Sequence, residues 1–290
     1  MQQSRRNFLK LTGGSLAAVT LGSWACKTPA AAQTASIPTF GLQLYTLRED
    51  MPRDPRGVLK QVAAMGYKQL ESYEPKELGM FWGMGAAGMK KYLDDIGTTL
   101  VASHCEIDKD FERKAADAAS IGMKYLICPW KGPQKSLSDF QRFAADFNVK
   151  GEICRKNGIR FAYHNHDYSF KPLQGRLPQD VMMEETDPKL VDFEMDIYWV
   201  VTAGEDAAAW FKKYNKRFRL CHIKDREKNA AGGNASCILG QGSIDYPSLL
   251  KKASEHGMEY FIVEQEKYEG TTPLKAVAAN AEYMKKLRLV

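Results

Sequence analysis

Across 290 residues, 44% hydrophobic and 26% charged side chains supply material for a large buried core and exclude a disordered chain or a small disulfide-stapled scaffold. The net charge is +6, but residues 1–32 hold four basic residues (Arg5, Arg6, Lys10, Lys27) and no acidic ones, which leaves 37 basic against 35 acidic residues in the rest. A body so nearly neutral has no basic excess to offer a nucleic acid or a membrane surface.

The chain opens with Ser4-Arg5-Arg6-Asn7-Phe8-Leu9-Lys10, followed by a weakly apolar run from Leu11 to Ala25. That run falls short of the roughly 18 apolar residues of a membrane span. The string reads as a twin-arginine export signal over residues 1–32, with the periplasm or its membrane surface as the expected destination. Two processing points compete: lipidation at Cys26, and small-residue cleavage at Ala30-Ala31-Ala32. None of the six cysteines forms a C-x-x-C pair, which argues against a zinc knuckle or a thioredoxin-type site.

From residue 33 onward, short β-rich apolar runs alternate with amphipathic segments. In chain order the pattern predicts strand 40–45, helix 55–65, strand 68–73, helix 87–96, strand 99–104, helix 111–121, strand 124–130 and helix 137–157. It continues with strand 160–166, a weakly patterned helix 177–185, strand 191–199, helix 206–214, strand 219–224, helix 246–256, strand 260–266 and helix 273–287. Gly66, Gly97, Gly122, Gly158 and Gly257 each follow a helical segment, where a left-handed residue ends a helix. Eight such repeats over 33–290 predict a single-domain (β/α)8 TIM barrel. An open doubly wound sheet is the alternative, but no G-x-G-x-x-G follows the first strand.

Every predicted strand closes on a polar or aromatic pair two residues apart: Gln43/Tyr45, Glu71/Tyr73, His104/Glu106, Cys128/Trp130, His164/His166, Glu194/Asp196, His222/Lys224 and Glu264/Glu266. Residues two apart on a strand share a face, and barrel active sites lie at the C-terminal ends of the strands. Among these, His164, Asp196, His222 and Glu264 come from four consecutive strands. They form a mixed N/O set suited to one divalent ion, Mn²⁺ first, with Co²⁺, Fe²⁺, Zn²⁺ or Mg²⁺ as alternatives. A salt-bridged polar plug without metal is the competing explanation.

Taken together, Gly41-Leu42-Gln43-Leu44-Tyr45-Thr46-Leu47-Arg48, Gly66-Tyr67 leading to Glu71, His164-Asn165-His166, Asp196-Ile197-Tyr198-Trp199, His222-Ile223-Lys224-Asp225, Gly240-Gln241-Gly242 and Glu264-Gln265-Glu266 resemble the sugar phosphate isomerase/epimerase family of xylose isomerase-like TIM barrels. The resemblance covers residues 38–290. It implies a metal held by Asp196, His222 and Glu264, with His164 where the family often has Glu. The paired histidines resemble the inosose dehydratase branch, and the missing carboxylate departs from the two-glutamate relay of ketose 3-epimerases.

The chemistry expected of such a site is removal of a proton beside a sugar carbonyl through a metal-stabilised enediolate. The same first step leads to isomerisation, to epimerisation, or to elimination from a keto-sugar or 3-keto-glycoside. Glu264, Glu266 and His166 are the candidate bases, and Lys224 is a candidate oxyanion or substrate contact. Gln43, Glu71, His104, Trp130 and Trp199 are expected around the substrate, with Glu71 and His104 also placed to support the metal ligands. The Phe81-Trp82 pair on a Gly-flanked loop suggests a sugar-stacking surface, and the Gly- and Asn-rich stretch 229–242 suggests a mobile lid. Two other functions compete: a metal-dependent apurinic endonuclease, disfavoured by the near-neutral body, and a carbohydrate-binding lipoprotein without catalysis.

Overall fold

Eight parallel strands close into a barrel because each β-rich run pairs with its chain neighbours and the last returns to the first. The computed structural model describes residues 35–290, so the expected export signal at 1–32 lies outside the described residues. The barrel strands are β1 (Gly41–Gln43), β2 (Gln69–Ser72), β3 (Thr99–His104), β4 (Tyr125–Cys128), β5 (Arg160–His164), β6 (Val191–Asp196) and β7 (Phe218–Ile223). After a small antiparallel hairpin, β8 (Asp225–Arg226) with β9 (Ser236–Cys237), the barrel closes with β10 (Tyr260–Val263).

The helices are α1 (Pro55–Ala64), α2 (Gly85–Ile96), α3 (Phe111–Ser120), α4 (Leu137–Lys156), α5 (Pro178–Glu185), α6 (Ile197–Thr202), α7 (Ala207–Lys213), α8 (Tyr246–Glu255) and α9 (Pro273–Lys286). Side chains start them where the sequence offers a cap: Asp54, Asp206, Asp245 and Thr272 each accept a backbone N–H of the first turn. All five glycines expected to end helices have positive φ, between 71° and 106°. No described helix is long and apolar enough to cross a membrane.

The strand expected at 99–104 is found with those bounds, but most of the others end earlier than predicted, and the local chemistry explains why. Gln43 ends β1 because its side-chain oxygen accepts the N–H of Tyr45 and starts the 3-10 turn Leu44–Leu47. Pro129 follows Cys128 and has no N–H to extend β4. Asp196 ends β6 by capping α6, its carboxylate accepting Trp199 N at 3.0 Å. The expected strand 191–199 is therefore a strand followed by a helix.

The two faces of the strands have different partners. Leu42, Leu70, Leu126, Phe161, Phe193, Cys221 and Val263 face the helices as part of the main core. A separate apolar cluster, including Ala102, Tyr125, Ile127, Ala162, Leu220 and Ile262, fills the barrel interior. Ala102, Ala162, Leu220 and Ile262 stand two residues before His104, His164, His222 and Glu264. The strand period of two places those four polar residues as the next interior layer.

Candidate metal centre and active site

Adjacent strands align the polar layer by register: His164 pairs with Glu194, and Asp196 with His222. Beside this pairing, Asn165 clamps the ends of β5 and β6, since its side chain accepts Asp196 N at 3.1 Å and donates to Asp196 O at 3.2 Å. Asp196 is thereby fixed from both its backbone and its carboxylate.

Four expected ligands converge on one point. His222 Nδ1 lies 3.1 Å from His164 Nε2, 3.2 Å from Glu264 Oε2 and 3.7 Å from Asp196 Oδ2, while His164 Nε2 is 3.5 Å from Asp196 Oδ2. Donor atoms that share a divalent ion at about 2.1 Å stand about 3.0–3.5 Å apart, a range that three of these four distances meet, while His222 Nδ1 to Asp196 Oδ2 is slightly longer. Asp196 Oδ2 is fully buried and faces the Lys224 ammonium at 2.9 Å as well as the two imidazoles, so it is held as an anion at the centre of the set.

Beneath that set, the opposite edge of the His222 ring is tied down. Its Nε2 is 2.8 Å from Glu71 Oε1, which also accepts Gln43 Nε2 at 2.5 Å and lies 3.1 Å from His104 Nε2. His104 Nε2 in turn is 2.8 Å from Glu194 Oε2. Gln43 and Glu71 are completely buried and absent from the cavity wall, so the structure moves both from substrate contact to support of His222. Glu194 and Asn165 are the two residues of this layer that sequence reasoning gave no place in the site. The signal for Glu194 was its spacing of two from Asp196.

Lys224 is buried at 1% exposure with Nζ 2.9 Å from Asp196 Oδ2, 2.9 Å from Glu264 Oε2 and 2.6 Å from Glu266 Oε1. Its ammonium also lies over the rings of Tyr198 and Trp199. Glu194 pairs with His104 rather than with Lys224.

These contacts set the charges. Burial opposes ionisation of Asp196 and Glu264, but Lys224 beside them and the neighbouring histidines hold both carboxyls well below the usual range. Glu194 moves the other way, pushed up to about 7 by burial and by the Glu71 charge. Burial also works against a charged His104 and His222, yet the surrounding carboxylates outweigh it, raising His104 to about 9 and His222 well above its ordinary value. His164 falls to about 4 through burial and the His222 charge, and His166 is lowered by burial and by His164.

A cavity of about 350 Å³ opens above this layer, lined by Tyr45, Tyr73, His104, Trp130, His164, His166, Glu264 and Glu266 among others. Trp130 is 52% exposed and stands edge-on to His166, so it offers a flat apolar face beside a possible base. Trp199 borders a neighbouring recess rather than this cavity. The expected stacking pair is also elsewhere: Phe81 and Trp82 are buried in the core, and Trp82 Nε1 donates to Ser72 Oγ at 2.9 Å. The stretch 229–242 is anchored rather than loose. Asp225 Oδ2 accepts Gly240 N and Gly242 N at 2.9 and 3.0 Å, and a side chain at Gly242 would collide with that carboxylate.

The family model described as "Xylose isomerase-like TIM barrel" matches residues 59–287. An inosose dehydratase of Clostridium perfringens is 26% identical over 163 residues, covering 51% of this chain and 54% of the relative. The chain spans about half the length of the curated relatives it matches. A crystal structure of a sugar phosphate isomerase/epimerase from Parabacteroides distasonis is 28% identical with a TM-score of 0.72, covering 87% of this chain and 95% of that one. A xylose isomerase-like TIM barrel protein from Mycobacterium smegmatis, solved in complex with magnesium, shares the fold at 15% identity and a TM-score of 0.62, covering 86% and 96%.

Proposed function

The chain belongs to the xylose isomerase-like TIM barrel family, and on that premise we propose that it is a divalent-metal-dependent sugar isomerase or epimerase that removes a proton beside a carbonyl. The observation that carries this reading is the cluster of Asp196, His222 and Glu264 at the floor of the cavity, with His164 Nε2 3.1 Å from His222 Nδ1 and 3.5 Å from Asp196 Oδ2. A divalent ion bound there supplies Lewis-acid polarisation of a carbonyl and its neighbouring hydroxyl, which acidifies the C–H between them.

The chain's own residues supply the rest. His166 lines the cavity, stays neutral at pH 7 because burial and His164 lower its pKa, and has a buried Nδ1 with no partner among the described residues. It is therefore in the unprotonated form that a general base requires, and a charge developing on bound substrate would have to offset the burial that disfavours its protonation. Glu266 also lines the cavity, and its contact with Lys224 at 2.6 Å fixes where its carboxylate points. Glu264 is committed to Lys224 and His222, which makes it a better ligand than base. Trp130, Tyr45 and Tyr73 border the space where a sugar ring would lie.

A second reading, a dehydratase or lyase acting on keto-sugars or 3-keto-glycosides, shares the first step. The His164-Asn165-His166 segment, with both histidines on the cavity wall, and the similarity to inosose dehydratases support it. Manganese is the proposed ion, because the mixed imidazole and carboxylate set suits it. We also propose twin-arginine export, on the Ser4–Lys10 string; an Arg5→Lys, Arg6→Lys variant that fractionates as the parent does would refute it.

The test combines metal analysis with isotope exchange. Purified protein is expected to hold about one divalent ion per chain, lost in Asp196→Ala and in His222→Ala. A sugar turned over in D₂O is expected to carry solvent deuterium at the deprotonated carbon. Full retention of a label placed at that carbon during turnover would overturn the proton-transfer reading, and an ion retained in both variants would move the metal site elsewhere.

A further inference from the structure

Beside the main cavity, on the far side of Glu266 and Lys224, lies a recess of about 170 Å³ lined by Arg48, Tyr198, Trp199, Lys224, Gly233, Asn234, Ser236 and Glu266. Its construction is specific. Tyr198 Oη donates to Gly233 O and accepts Ala235 N at 2.8 Å, which pins the segment that roofs the recess. Ser236 Oγ accepts Glu266 N and Lys267 N at 3.0 and 2.9 Å, which ties the same segment to the loop after β10.

Two cations, Arg48 and Lys224, line this recess against one carboxylate, Glu266. Lys224 is already matched by Asp196, Glu264 and Glu266. Arg48 is not matched: its guanidinium donates to Tyr45 O at 3.2 Å and Glu266 O at 3.0 Å, and no carboxylate pairs with it among the described residues. The Glu266 carboxylate is taken by Lys224 at 2.6 Å, and Arg48 bonds that residue's backbone oxygen instead. The rings of Tyr45 and Tyr268 flank the guanidinium at 4.9 and 6.0 Å and limit where it can swing. A half-buried guanidinium held by carbonyls, with its charge unmatched, is a ready partner for an oxyanion, which it grips through paired N–H donors.

We propose that this recess is a subsite for an acidic group on the sugar substrate, a carboxylate or a phosphate monoester, gripped by Arg48 with Asn234 and Ser236 alongside. Glu266 borders both spaces, so the acidic group would lie in the recess while the reacting carbons lie over the metal ligands. The inference rests on the sugar-enzyme reading, and it adds a selection for acidic over neutral sugars.

The test is a calorimetric titration of the Mn²⁺-loaded full chain with D-glucose, D-glucuronate and D-glucose 6-phosphate. At least one acidic sugar is expected to bind about tenfold or more tightly than glucose, and which one does so separates the carboxylate from the phosphate. Arg48→Gln is expected to erase that preference while metal content and glucose affinity stay as they were. Asn234→Asp, at an exposed loop position where folding is not at risk, is expected to do the same by placing a negative charge in the recess. No tighter binding of either acidic sugar, or a preference that survives both substitutions, would overturn the proposal. If metal analysis finds no ion, the catalytic reading fails, and the subsite is then scored on the metal-free chain by whether inorganic phosphate raises its Tm in an Arg48-dependent way.

Discussion

His222 turns Nε2 to the Glu71 carboxylate at 2.8 Å and so commits Nδ1 to the cluster of His164, Asp196 and Glu264. A carboxylate behind a metal-binding imidazole fixes its tautomer and raises its basicity. Glu71→Ala is therefore expected to weaken divalent-metal affinity by about 10- to 100-fold, measured by competition with a chelating dye. An unchanged affinity would show that Glu71 serves packing alone.

Metal uptake should also release protons. The carboxylates around His222 outweigh the effect of burial and raise its pKa well above the usual value, so the metal-free imidazole is protonated at pH 7 and must lose its proton to bind. His164, lowered to about 4, is already neutral there and releases none. Affinity is expected to fall as pH drops below neutrality, by about tenfold per pH unit for one displaced proton. Calorimetry in buffers of different ionisation enthalpy reads the released proton directly.

For the two candidate bases, Glu266→Gln and His166→Asn are compared at constant metal occupancy. The residue that takes the proton should cost about 10² or more in kcat when replaced, with metal content unchanged. Loss of less than threefold in both variants would move the base to Glu264.

Lys224→Met removes the ammonium from between Asp196, Glu264 and Glu266. In metal-free protein this is expected to cost about 3–5 kcal/mol, the usual effect of leaving buried charges unpaired. Saturating Mn²⁺ should recover much of the loss, since the ion replaces the missing positive charge. Denaturant titrations with and without metal check both halves.

The barrel itself was legible because its rule is simple: apolar runs, amphipathic helices and glycines after them. The end of each strand was harder to read. Ile197–Thr202 is rich in β-branched and aromatic residues and looks like strand, but the Asp196 cap and packing around Tyr198 make it helix. The hairpin of Asp225–Arg226 with Ser236–Cys237 is too short to leave a period. Its anchor is Asp225, whose carboxylate accepts Gly240 N and Gly242 N at the end of the stretch that composition alone marked as mobile, and Ile244 N just beyond it.

In the site, His164, Asp196, His222 and Glu264 were readable as a group because four consecutive strands end on them. Support by Glu71 and His104 was expected beside substrate contact, but the choice between the two roles was not legible, because depth does not show in spacing. Gln43 and Glu71 sit at strand ends like the cavity residues, yet the register and the bulge at Leu70/Glu71 set them below the cavity floor. Phe81 and Trp82 misled for the opposite reason, since a Gly-flanked aromatic pair folds inward when a serine waits for the indole N–H.

Outside β6, the first residue of each terminal pair up to β7 is held by a strand, while its second residue hangs from a turn or loop. The ion-binding floor and the reacting rim are therefore under separate mechanical control. His164 and His222 can move only if neighbouring strands part, whereas His166 and Trp130 can be exchanged, or their loops lengthened, without disturbing a single ladder bond. One socket can in this way be refitted for a different leaving group or a different face of the sugar while its grip on the cation stays the same.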